Sequence, residues 1–187
     1  MHGCMEVCSL ECRYGTRAAL RGVDLAVAPG TVHGLLGPRG AGKTTLLRVL
    51  AGELAPDGGR LRVPERVTLV PAGERGPLSP LEQRLPAATR RRVALARAIA
   101  GGPELLLIDE PDAGVDAETV AATRSLALRH AASGGAVVWA TRRLDALLGV
   151  AAGVTVLADG RVRFNGRPEV LASRALAHQQ TPLHHAA

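Results

Sequence analysis

The chain carries apolar residues in two patterns. From Met5 to Arg13, Ala19 to Ala28 and Thr31 to Leu36 they alternate with polar residues or form short apolar blocks, as strands do. In the first stretch this alternation puts Cys8, Leu10 and Cys12 on one face and Val7, Ser9 and Glu11 on the other. Pro29-Gly30 marks a turn before the third. After a glycine-rich stretch, a helix is predicted from Lys43 to about Ala51, ending at Gly52. Short strands fit Gly59–Val63 and Val67–Val70, whereas Pro71 to Pro86 has little periodicity. A helix over Ala87–Ala100 is stopped by Gly101-Gly102-Pro103, and the wholly apolar Leu105–Ile108 reads as a buried parallel strand. There follow a helix over Asp116–Ser133, a buried strand at Ala136–Ala140, a short helix near Leu144, and strands at Val154–Leu157 and Val162–Asn165. Together these predict an α/β fold: a mainly parallel core sheet covered on both faces, with an N-terminal antiparallel β part. Beyond about His178 periodicity ceases, and residues 176–187, with His184 and His185, read as a flexible tail after a single domain over 1–175.

Composition narrows the class. With 187 residues and 47% apolar content, one globular domain is expected. The chain has one Trp, one Tyr and one Phe, so Leu, Val and Ala must build the core. The net charge of +6 comes from scattered arginines with no interleaved aromatics. That is an arginine-rich surface rather than a nucleic-acid platform, so nucleic acid is not an expected partner. Cysteines stand at 4, 8 and 12. Buried thiols on a strand are favoured over a metal site, and the odd count disfavours a disulfide framework. The longest apolar stretch, Leu147 to Ala158, is shorter than the roughly 20 residues a spanning helix takes, so a cytoplasmic location is expected.

The chain has one lysine among its 23 basic residues, Lys43, and it lies in the loop Gly37-Pro38-Arg39-Gly40-Ala41-Gly42-Lys43-Thr44-Thr45. Two glycines five positions apart followed by Lys and Thr, between an apolar strand and a helix, form a phosphate-binding loop. The glycines let backbone N–H groups converge on phosphate oxygens, and the following helix aims its positive end at the same anion. Lys43 is placed for the β- and γ-phosphates and the Thr44 hydroxyl for Mg²⁺. Gly37 through Thr45 is therefore read as the site for a nucleoside triphosphate, ATP above all.

The second site is Leu105-Leu106-Leu107-Ile108-Asp109-Glu110-Pro111. Carboxylates at the carboxyl end of a buried strand lie where ligands bind in such sheets. Asp109 is a candidate Mg²⁺ ligand and Glu110 a candidate for polarising an attacking water.

From about residue 5 to about residue 170 the chain resembles the ATPase domain of the ATP-binding cassette (ABC) family, the motor subunits of ABC transporters. Arg13-Tyr14-Gly15 with Ala19-Leu20-Arg21-Gly22-Val23-Asp24-Leu25 is similar to the family's opening, which implies that Tyr14 stacks on adenine. Arg91 to Ile99 resembles the helix after the family signature. Asp109-Glu110-Pro111 with Gly114-Val115-Asp116 resembles the catalytic strand end and the loop that touches the partner subunit.

The departures are specific. The family signature, Leu-Ser-Gly-Gly-Gln, corresponds here to Leu85-Pro86-Ala87-Ala88-Thr89. Pro86 has neither a hydroxyl nor an N–H, and the two alanines restrict the backbone. Ala72 stands where the family has a glutamine and Arg142 where it has a histidine. Between Ala72 and Leu85 lie 12 residues, where the family carries a helical subdomain that docks on the membrane partner. That subdomain is expected to be reduced, over about 73–100.

The resemblance implies an ATP-binding subunit of a transport complex, with weak or no hydrolysis alone. Its expected partners are a second ABC ATPase, most simply a heterodimer mate with an intact signature, and a transmembrane permease that holds it at the inner face of the membrane. The competing readings are a non-transport P-loop switch, a nucleic-acid-associated family member, and a decaying paralogue.

Overall fold

The computed structural model describes residues 5–72 and 83–179. In chain order the elements are β1 (Met5–Tyr14), β2 (Arg17–Val27), β3 (Val32–Leu36), α1 (Lys43–Leu50), β4 (Gly58–Arg62) and β5 (Val67–Val70). Then come α2 (Ala87–Ala100), β6 (Leu105–Asp109), α3 (Ala117–Ala132), β7 (Ala136–Thr141), β8 (Gly153–Ala158), β9 (Arg161–Gly166) and α4 (Pro168–Gln179). Residues 1–4 with Cys4, residues 73–82 of the loop expected to be shortened, and residues 180–187 with His184 and His185 lie outside the described residues.

There are two sheets. One is three-stranded and antiparallel, in the order β2-β1-β4; the other is six-stranded, in the order β5-β6-β7-β3-β8-β9. In the larger sheet β5, β6, β7, β3 and β8 run parallel, and only β9 is antiparallel to its neighbour. This is the predicted α/β architecture, and its reason is visible in the strands. β6 and β7 are buried at every position, as strands covered on both faces must be. Leu105 and Leu107 point into one apolar cluster with Leu46, Leu47 and Leu50 of α1 and Leu10 and Leu20 of the small sheet. Leu106 and Ile108 point into the other, with Leu95 of α2 and Ala127 and Ala131 of α3. Helix α1 is thus packed between the two sheets, which holds the loop before it at one end of the core.

The structure corrects three local expectations. In β1 the buried residues are Met5, Val7, Leu10 and Cys12, so Val7 shares a face with Leu10 and Cys8 is only half-buried. The cause is a β-bulge: Val7 pairs with Leu25 and Leu10 with Val23, leaving Cys8 and Ser9 opposite Asp24. Ser9 adopts φ 50° and its N–H donates to the Asp24 carboxylate at 2.7 Å. The extra residue inverts the alternation, which a strict period of two cannot express. The expected helix near Leu144 is a run of turns from Asp145 to Val150, in which the Leu147 and Leu148 N–H groups both donate to the Leu144 carbonyl. Helix α4 extends through Gln179, so the start of the expected tail is helical. Its weak amphipathic pattern (Val170, Leu171) gave no signal.

One buried polar pair makes stability depend on pH. The ring Nε2 of His33 on β3 lies 2.9 Å from the Thr155 hydroxyl on β8, and burial lowers the His33 pKa from 6.5 to about 4. The unfolded chain therefore takes up a proton below pH 6.5 that the folded chain refuses until about pH 4. Stability supported by neutral His33 is complete above this window and is lost as pH falls through it, by up to about 3 kcal/mol. Burial lowers His130 in the same direction. Urea midpoints measured from pH 7.5 to 4 should fall, and His33→Gln, which keeps a polar group near Thr155 but cannot titrate, should remove most of the slope. An unchanged slope in that variant would refute the assignment.

Candidate functional site

Three carboxyl ends of neighbouring parallel strands meet at one edge of the large sheet. β3 leads into the loop at 37–42, β6 ends on Asp109 with Glu110 beside it, and β7 ends on Thr141 with Arg142 next. Sheet order makes β7 the strand between β6 and β3, so both sequence sites and Arg142 face one cleft. The cleft has a volume of about 710 Å³ and is lined by Tyr14, the loop, Asp109, Glu110 and Arg142.

The loop depends on two glycines in particular. A side-chain carbon on Gly37 would lie 2.2 Å from the Leu157 carbonyl oxygen. One on Gly42 would lie 2.6 Å from the Ala19 carbonyl, and Gly42 has φ 104°. The loop is therefore pressed against β8 and β2 in a way only glycine allows. Gly42 immediately precedes α1, so the free N–H groups of the helix's first turn face the loop.

Lys43 is buried, with 4% exposure. Its ammonium donates to the carbonyls of Gly37 at 2.8 Å and Pro38 at 3.1 Å, and it lies 3.5 Å from Glu110 Oε1. The Thr44 hydroxyl donates to Asp109 Oδ2 at 2.8 Å. Arg142 Nε lies 3.4 Å from Glu110 Oε2, so Glu110 sits between two cations. The sequence groups Lys43 with Thr44, and Asp109 with Glu110; the structure pairs each member of one couple with a member of the other. Tyr14, at the end of β1, is 45% exposed and lines the same cleft, so its ring is open to a planar ligand.

Thr44 and Asp109 fit a divalent cation. Hydroxyl and carboxylate oxygens already in contact are the hard donors that Mg²⁺ takes, and two protein ligands suffice because Mg²⁺ keeps waters and substrate phosphates. The loop fits phosphate, since Arg39 to Thr45 line the cleft and lead directly into the first turn of α1, whose N–H groups have no partner within the helix.

Sequence reasoning missed several residues. Arg17 and Arg21 on β2 line the cleft, and Arg17 Nη2 lies 3.8 Å from where a side chain on Gly40 would begin. Nothing in the β2 alternation singles them out. Asp112 was also missed. It is 4% exposed and accepts from the Trp139 indole N–H at 3.3 Å and the Thr141 hydroxyl at 2.8 Å. A second carboxylate two residues after Glu110, close to the chain's one tryptophan, was the available signal. Arg91 on α2 donates to the Ala113 carbonyl at 2.5 Å and the Ala72 carbonyl at 2.6 Å, tying α2 to both loops flanking the site. Asp116 caps α3 by accepting from the Thr119 N–H at 2.7 Å, and its bonds to Thr119 lower its pKa. At the signature positions, Pro86 is the N-terminal neighbour of α2 without a side-chain cap, and Ala87 to Thr89 form its first turn.

The family pattern described as ABC transporter matches residues 20–75. The aliphatic sulfonates import ATP-binding protein SsuB 3 of Paraburkholderia xenovorans is 32% identical over 210 aligned positions, covering 92% of this chain and 84% of that protein. This chain belongs to the ATP-binding subunit family of ABC transporters. The lipopolysaccharide export system ATP-binding protein LptB of Acidithiobacillus ferridurans is 29% identical, over 94% of this chain and 95% of the relative. A nucleotide-free ATP-binding cassette from an ABC transporter superposes with a TM-score of 0.81 over 94% of this chain and 96% of that one, at 20% identity, which shows the shared fold. As an ABC ATP-binding subunit the chain is a nucleotide-binding component of a transport complex, and among the described residues no helix is long and apolar enough to cross a membrane.

Proposed function

We propose that this ABC subunit binds MgATP in the cleft at the strand ends and, by itself, hydrolyses it slowly or not at all. The observation that carries the binding half is the meeting of Lys43, Thr44, Asp109 and Glu110 in one 710 Å³ cleft beside the glycine loop. Backbone N–H groups from Gly40 to Thr45 receive the phosphate chain, Lys43 neutralises its terminal groups, and Tyr14 offers its face to the adenine. Thr44 and Asp109 would hold Mg²⁺, which supplies charge neutralisation between the β- and γ-phosphates.

The slow-turnover half rests on the chain's departures from its family. Arg142 stands where the family has a histidine, and its permanently charged guanidinium cannot accept a proton as a neutral imidazole does. Ala72 offers no side-chain amide, and Pro86 has no hydroxyl to give to a nucleotide on another subunit. A homodimer would have two such weakened faces, so a heterodimer with an intact ABC ATPase is favoured, docked on a permease at the inner face of the membrane. The alignment of 210 positions is longer than the 187-residue chain, so the relative has residues without a counterpart here, as a reduced helical part over about 73–100 requires. Transport is favoured over a nucleic-acid role because relatives covering more than nine-tenths of this chain are named as import and export subunits.

The purified chain, given saturating MgATP, should release phosphate well below about 1 per second, the low end of ordinary turnover. A rate at or above that value, absent in Lys43→Ala, would overturn the slow-turnover reading while leaving ATP binding intact.

A further inference from the structure

Glu110 is not simply a carboxylate waiting for water. Its backbone adopts φ 43°, a left-handed conformation unfavourable for a residue with a side chain, and its N–H is tied to the Ala140 carbonyl at 2.8 Å. The neighbouring turn closes through the Ala113 N–H to the Glu110 carbonyl at 3.2 Å. The strand end therefore fixes the direction in which the side chain leaves the backbone, and the carboxylate lies between the Lys43 ammonium at 3.5 Å and Arg142 Nε at 3.4 Å. Both separations are those of ion pairs rather than tight hydrogen bonds, and the Arg142 side chain is 52% exposed. The pairings are held in place yet displaceable.

Lys43 lies beneath the loop that cradles phosphate, so a terminal phosphate and the Glu110 carboxylate require the same cation. Arg142 carries a permanent charge and a long side chain, and it too can serve either anion. We infer that Glu110 is a built-in anion occupying the phosphate cations Lys43 and Arg142, so that the terminal phosphate of a nucleotide must displace it to bind. Arg142 is the positioning residue of this device: it pairs with Glu110 at 3.4 Å and passes to the phosphate once Glu110 is removed. Terminal-phosphate binding is thereby coupled to release of the carboxylate, and affinity for the phosphate chain is held below what the cations alone would give. This inference rests on the reading that the cleft binds MgATP.

The test uses inorganic tripolyphosphate, which has no base and isolates the phosphate cations, titrated calorimetrically into the full chain without Mg²⁺. Glu110→Gln should bind it about tenfold more tightly than the native chain, because the neutral amide no longer competes for charge. Glu110→Ala should do the same, a second route should the amide find new partners. Arg142→Ala should cost about tenfold in the Glu110→Gln background but under about threefold with Glu110 present, since the arginine is already engaged there. Arg142→Lys should recover most of that loss, which a packing role alone would not predict. Thermal melts confirm that each variant is folded. Equal affinity of the native chain and both Glu110 variants, no measurable binding by any of them, or an equal Arg142→Ala cost in both backgrounds would overturn the inference. A parallel MgATP titration of the native chain and Lys43→Ala separates the two claims. If Lys43→Ala loses MgATP but the Glu110 variants gain nothing, only the displacement idea fails; if Lys43→Ala loses nothing, the cleft itself has been misread.

Discussion

Replacing Lys43 by Ala should lower MgATP affinity by at least about 100-fold, equivalent to about 2.7 kcal/mol or more. The size follows from burial. The ammonium is 4% exposed, so its attraction to a phosphate is poorly screened by water. It is also oriented in advance by the Gly37 and Pro38 carbonyls, so little freedom is lost when the anion arrives. Lys43→Arg should fail to rescue binding, because a planar guanidinium does not fit the space an ammonium fills beneath the loop. Fluorescent-nucleotide titration, with circular dichroism as the folding control, measures both. An affinity for MgATP in Lys43→Ala within threefold of native would remove the phosphate-cradle reading altogether. The lysine's uniqueness in the chain means that no other ammonium can take over.

The second large effect is on stability. Asp112→Ala should cost about 3 kcal/mol and lower the melting temperature by about 10 °C. The Asp112 carboxylate is buried and accepts the Trp139 indole N–H and the Thr141 hydroxyl. Truncation leaves those two donors without their acceptor in the protein interior, which costs about 1–3 kcal/mol per group. Thr141 Oγ1 in turn accepts from the Arg143 N–H at 3.0 Å, so the network holds the turn that carries Arg142. Asp112→Asn should fall between native and Ala, since its one carbonyl oxygen keeps one of the two bonds. Urea denaturation gives the comparison. A loss under about 1 kcal/mol in Asp112→Ala would mean that the network is dispensable and that other contacts set the β7 turn. Because the loop from Pro111 to Asp116 leads into α3, which Asp116 caps, the same variant should also loosen the start of that helix.

The two halves of the site differ in how they are held. Lys43 and Thr44 begin a helix packed between two sheets, with Leu46, Leu47 and Leu50 fully buried below them. Asp109 ends a strand buried at every position. These groups sit on rigid supports. Arg142 lies beyond the end of β7 and is half-exposed, and Arg39 is exposed at the loop's outer edge. Preorganised groups close to the core and adaptable cations at the rim suit a site that must accept a ligand and release it.

How much of this was legible in the chain depends on the range of the interaction. The sequence by itself determined the phosphate loop, because glycine spacing, one lysine and the strand-to-helix switch are all local. It also indicated the parallel core, since Leu105–Ile108 and Ala136–Ala140 are apolar throughout, too short for helices and preceded by glycines, as strands covered on both faces are. Tertiary structure decided the rest. The bulge at Ser9 depends on Asp24, a residue on the neighbouring strand, and it reverses which half of β1 faces inward. The fate of Glu110 depends on β7 lying between β6 and β3, which brings Arg142 and Lys43 to opposite sides of one carboxylate. Asp112 reads as one more acidic loop residue until Trp139 and Thr141 are found against it. Backbone geometry and burial are written in short-range periodicity; which charge meets which is a property of strand order, and strand order has no local code.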